Sequence, residues 1–215
     1  MDDTTTWLAT LATLAVLAAY ELAQLALHLR RPGALAPTMH ANLREDWFVS
    51  ISRKPGTEIL AVQTLRNSLM SATMIASTAV LGLMGAATLT APVVRELVAG
   101  GALGGPSPLS ARLTLDLVLM LLLLLSLVAS AMSMRYFNHA GFIGGMPTDS
   151  DARARWSAAG VRYLRRAGLM YGWGLRHLVM VAPVLVAMLR PVAGPVAAVL
   201  VVCGLVVLDR ADQLA

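Results

Sequence analysis

The chain has 215 residues, 57% of them hydrophobic and only 13% charged, with a mean hydropathy of +0.69. Soluble domains carry about 25% charged residues, so composition excludes a water-dispersed globule and points to a chain solvated by a bilayer. The net charge of +5 and pI of about 10.1 do not indicate nucleic acid, because the arginines flank apolar runs, as membrane orientation and anionic lipid headgroups would have them.

Crossing the hydrocarbon takes about 20 apolar residues. The first segment of that kind runs from about Thr6 to Leu29. Its acidic start (Asp2, Asp3) and long apolar stretch predict a retained helix, since a cleaved leader begins with positive charge and has a shorter core. The ALA at 34–36 follows Arg30 and Arg31 and precedes Pro37. The span closes YELAQLALHLRR, with Glu21, Gln24 and His28 on one helical face.

Next, NLREDWFVSISRK puts Leu43, Trp47, Phe48 and Ile51 on one side of a helix and Arg44, Glu45 and Asp46 elsewhere. Such a helix suits the membrane interface with Trp47 as anchor, or else packs on the end of the bundle. Pro55-Gly56 breaks it, and Thr57-Glu58 marks the next helix start. The second span, about Leu65 to Leu89, is preceded by AVQTLRNSLM, which sets Gln63, Arg66 and Asn67 on a shared face. A glycine-rich, nearly chargeless connection, VAGGALGGPSPLSA, leads to the third span, about Leu113 to Met134. Asp116 there is expected to pair with Arg112.

MRYFNHAGF follows, carrying Arg135, Tyr136, Asn138 and His139. Then TDSDARARWSAAGVRYLRRAG opens with capping residues (Thr148, Asp149, Ser150) and sets Trp156, Gly160, Tyr163, Leu164 and Ala167 along one stripe, with five arginines around it. A surface helix on anionic lipid is expected. The fourth span, about Leu169 to Leu189, opens MYGWGLRHLVMVAP with Arg176 and His177, and the fifth covers about Val192 to Leu208. One helix through both would be about 60 Å long, twice the hydrocarbon thickness. The prolines and glycine of RPVAGP instead predict a tight turn.

The expected fold is therefore all-α: a single membrane domain over 1–215, a polytopic helical bundle of about five spans (four if the last block does not cross twice) with short amphipathic cytoplasmic helices. Fourteen of the seventeen basic residues fall on one side. The positive-inside rule places that side in the cytoplasm, with the N-terminus out and the C-terminus in.

Four helices thus bring polar groups to the cytoplasmic half. Burying an ionised group in hydrocarbon costs several kcal/mol, so these groups should turn inward and find partners. Gln63, Arg66, Asn67, Arg135, Tyr136, Asn138, His139, Arg176 and His177 form the expected ligand-binding cluster. Glu21, the single intramembrane carboxylate expected in that half, pairs with Arg66, Arg135 or Arg176, with Gln24 beside it. Surplus guanidinium over carboxylate points to a bound anion or lipid phosphate.

Other classes are weaker. Hydrolase, P-loop, dinucleotide and zinc-protease signatures are absent, so no catalytic residue, metal ligand or cofactor is assigned. Facing His28, His139 and His177 would suit a haem or metal redox subunit, and Met132-Ser133-Met134 a copper thioether site, though a hydrophobic core uses the same residues. The lone Cys203, in an apolar run, reads as a small buried hydrophobe. Small-residue stripes (Ser68, Ala72, Ala76; Thr78, Gly82, Ala86; Ser126, Ser130 with Ala129 and Ser133) allow close helix packing, within the chain, in a homo-oligomer, or in a larger membrane complex that this chain would serve as a scaffold subunit. Lipid bilayer and anionic lipids are the expected partners, and nucleic acid is not.

ILAVQTLRNSLMSATMIAST, MRYFNHAGFIGG, YGWGLRHLVMVAPVL and a closing apolar span ending in Leu208-Asp209 together resemble the domain of unknown function 599 family, small multi-span membrane proteins of bacteria and plants. The resemblance covers nearly the whole chain and implies a multi-span architecture. It implies no activity.

Overall fold

The computed structural model describes the backbone at residues 2–30, 36–99 and 110–211, with side chains at 2–27, 39–95 and 110–209. The glycine-rich connection at 100–109, Arg31 and the side chains of His28 and Arg30 lie outside the described residues. The chain forms helices α1 (Asp3–Arg30), α2 (Ala36–Ser52), α3 (Glu58–Ala99), α4 (Ala111–Gly144), α5 (Asp151–Leu189) and α6 (Gly194–Ala211), with a 3-10 turn at Pro191–Ala193 between the last two. No strand occurs among the described residues. All but α2 are long and apolar enough to cross a membrane.

The exterior is as oily as the interior. Leu8, Met74, Leu81, Leu121 and Leu200 are all exposed. In water such a surface would aggregate; against acyl chains it costs nothing.

Neighbouring helices run antiparallel. Gly82 of α3 faces Leu123 of α4, while Leu65 lies against Gly144 at the other end. The hydroxyl of Ser126 donates to the carbonyl of Gly174 (2.8 Å) and that of Ser133 to the carbonyl of Ala167 (2.9 Å), so α4 and α5 are joined backbone to side chain across a dry interface. The stripe of Ser126, Ser130 and Ser133 is fully buried there. Small side chains let the backbones approach this closely. At the far end Arg112 pairs with Asp116 at 3.6 Å, as expected from its spacing, and donates to the carbonyl of Met188.

The turn after α5 follows from its sequence. Arg190 leaves the helix in an extended conformation, Pro191 starts the 3-10 turn, and Gly194 opens α6. A side chain at Gly194 would meet Thr13 and Ala187, so α6 begins pressed between α1 and α5. It then runs antiparallel to α5 until Asp209 reaches Arg176. Cys203 is exposed on α6 and not buried as expected, because the outer face of this last helix has no neighbour there among the described residues.

One segment differs from its sequence expectation, and a second takes the alternative role expected of it. The arginine-rich stretch from Asp151 is no separate surface helix. Capped by Ser150, which accepts from the amide of Arg153, it continues without a break into the fourth span. Its stripe packs into the bundle: Gly160, Leu164 and Ala167 are buried and Tyr163 is half-buried, whereas Trp156 is exposed. Arg153 is buried with them; its guanidinium donates to the carbonyl of Ile143 and to Ser52 and lies 5.1 Å over the Phe48 ring. Helix α2, similarly, packs on the end of the bundle. Phe48 and Ile51 enter a core with Ala61, Leu65, Phe137 and Ile143, leaving Leu43 exposed. Gly160 makes room for Phe48, which would sit 2.7 Å from any added Cβ.

Candidate functional site

The polar residues gathered at the basic end fall into three places, and among the described residues no hydrogen bond, ion pair or ring contact links one place to another. The first joins α1, α5 and α6. Arg176 donates to Asp209 at 2.6 Å, and Gln24 donates to the other carboxylate oxygen at 3.1 Å. His177 faces Glu21 at 3.4 Å and stacks on Trp173. Tyr20, buried, lies within electrostatic reach of Glu21, Arg176 and Asp209. The partner of Arg176 is thus Asp209, and that of Glu21 is a histidine, in place of the direct Glu21–arginine pair expected. Asp209 stands at the very end of the last apolar run, which is why sequence reading counted Glu21 as the sole carboxylate at this level.

The second place is formed by rings. Tyr136 of α4 stacks on Tyr163 of α5 at 6.1 Å between centroids, and His139 sits 5.4 Å from the same ring.

Arg66 and Asn138 define the third. They line a groove of about 720 Å³ between α3 and α4, whose other walls are largely apolar: Val62, Leu65, Leu69, Phe137, Phe142 and Met146. Arg66 is exposed and has no carboxylate partner among the described residues. Gln63 and Asn67 are exposed on the same helix, as is Arg135 on α4. Helix geometry explains the split. Successive residues of an α-helix point about 100° apart, so Asn138 turns toward α3 while His139, its neighbour, turns toward α5.

Sequence reading missed Arg44. Its guanidinium crosses α5 at Gly168, where an added Cβ would lie 2.4 Å from Nη1. It lines a polar recess of about 190 Å³ with Ser68, Ser71, Phe137 and Tyr171. Burial pushes the Arg44 guanidinium below its usual value, and among the described residues no carboxylate neutralises it. The only sequence signal was its place on the polar side of an amphipathic helix, which ordinarily means solvent.

No group of three His, Cys, Asp or Glu side chains converges as metal ligands among the described residues. This end thus carries two guanidinium groups with no carboxylate partner among the described residues, Arg66 lining a largely apolar groove and Arg44 a polar recess.

An apolar exterior, five helices of spanning length and ionised groups paired between helices define a multi-pass helical membrane protein. More narrowly, the chain belongs to the DUF599 family, described as proteins of unknown function, whose pattern matches residues 8–214. No curated protein and no solved structure matches it.

Proposed function

We propose that this protein is a non-enzymatic plasma-membrane protein that binds the anionic headgroup of a phospholipid in the groove between α3 and α4, with its basic end toward the cytoplasm. The observation that carries the reading is Arg66 beside Asn138 in an otherwise apolar groove of about 720 Å³. A guanidinium makes paired, charge-assisted hydrogen bonds to phosphate, and the Asn138 amide supplies a further donor. Val62, Leu65, Leu69 and Phe142 offer acyl chains the surface they need. The excess of basic residues at this end attracts anionic lipid to the same leaflet.

Native mass spectrometry of the purified protein with matched phosphatidylglycerol and phosphatidylcholine tests this. The wild type should retain phosphatidylglycerol in preference. Arg66→Ala should lose that preference by about tenfold or more, the worth of a hydrogen bond to a charged group, and Arg66→Lys should keep part of it, as a point charge without the fork. Equal retention of phosphatidylglycerol by wild type and Arg66→Ala contradicts the reading.

A further inference from the structure

A second groove is built differently. It occupies about 540 Å³ between α2, α5 and α6. Hydrocarbon lines most of its length, with Val179, Val201, Leu205 and Leu208 prominent. Its floor includes Gly172 and Gly204, and a side chain added at either would meet nothing within 4 Å. These glycines make no close helix contact, and each faces open space.

At one end the groove meets Arg44 and Tyr171. The same two residues line the polar recess with Ser68 and Ser71. The two cavities therefore share a boundary made of a guanidinium and a phenol. Asp209 also borders the groove, but its carboxylate is occupied by Arg176 and Gln24. Arg44 keeps the uncompensated charge. Ser68 and Ser71 presently donate to carbonyls of their own helix, at Thr64 and Asn67, and a hydroxyl rotates to donate elsewhere at little cost.

We propose that these two cavities form one binding site for a single-chain acidic amphiphile, a fatty acid, with its carboxylate on Arg44 at the mouth of the polar recess and its tail along the groove floored by Gly172 and Gly204. Charge complementarity selects the acid. The volume of about 540 Å³, smaller than that of the groove between α3 and α4, favours one chain over two. A volume of several hundred Å³ with mostly apolar walls and a few convergent polar groups is what small-molecule sites have in common. Gly168 is part of the design, because only bare backbone lets Arg44 cross α5 to reach the recess.

The test is a binding titration on the full chain in nanodiscs with a fluorescent fatty acid, the matching fatty alcohol and, separately, inorganic phosphate as competitor. The wild type should bind the acid about tenfold more tightly than the alcohol, the difference expected of a charged hydrogen bond. Arg44→Gln should erase that preference and Arg44→Lys should retain much of it, which guards against a variant that merely fails to fold. Gly204→Leu, introduced into open space, should lower affinity for acid and alcohol alike, and Gly85→Leu, equally open but distant on α3, should not. Inorganic phosphate should compete poorly without a tail. An unchanged acid preference in Arg44→Gln, unchanged binding in Gly204→Leu, or full displacement by phosphate alone overturns the proposal. The phospholipid preference at Arg66 is read by a different variant and probe, so either site can fail without the other.

Discussion

Replacing Arg176 by alanine is expected to destabilise the bundle by about 3–5 kcal/mol, the usual result of removing one partner from a buried ion pair. The pair is short, at 2.6 Å, and the side chains are only 11% and 24% exposed. Removing the guanidinium leaves the Asp209 carboxylate with Gln24 alone. Asp209→Ala should cost a similar amount by stranding the cation. The double variant should be far milder than the sum, because the interior then holds neither charge. Denaturation of all four forms in one detergent checks this; additive losses would show that the pair does not couple.

Gly174→Val should also separate α4 from α5. An added Cβ would lie 2.5 Å from Ser130 Oγ and 3.3 Å from backbone atoms of Ser126 and Ser130. The serine hydroxyl can swing aside, but the backbone cannot, and the Ser126–Gly174 hydrogen bond would be lost with it. Overpacking of this kind costs about 1–3 kcal/mol, sometimes more. Gly172→Ala, two residues earlier, meets nothing within 4 Å. There the helix simply gains a better former, a stabilisation of about 0.5–1 kcal/mol. Melting temperatures of the two variants should move in opposite directions from wild type, and a parallel shift would contradict the packing described.

The spans were legible because hydrocarbon thickness imposes a length on any crossing helix, and because RPVAGP contains residues that cannot continue one. Side-chain partners were less so. Arg176 and Asp209 are far apart in sequence, and only the antiparallel return of α6 brings them together. Arg44 sat among charged neighbours on an amphipathic helix, where nothing local distinguishes a guanidinium bound for solvent from one that crosses Gly168. The continuity of α5 was hidden for a related reason. A basic stretch before an apolar one suggests a loop helix and then a span, yet no proline interrupts the backbone from Asp151 until Pro183. Asn138 and His139 were grouped because they are adjacent, and adjacency on a helix sends side chains apart.

The proposed binding rests on arginine that no carboxylate answers among the described residues. Glu21, Glu45 and Asp209 are each matched by His177, Arg165 and Arg176 respectively, whereas Arg66 and Arg44 face cavities. Lipid phosphate in one groove and a fatty acid carboxylate in the other would complete the charge balance inside the membrane.

Electron cryomicroscopy of the protein in nanodiscs rich in phosphatidylglycerol reads that balance directly. A phosphate-sized feature within hydrogen-bonding reach of both Arg66 and Asn138, continuous with acyl density along Leu65 and Leu69, is the result expected. An Arg66 side chain turned out to bulk headgroups, over a groove holding acyl chains and no phosphate, would contradict it.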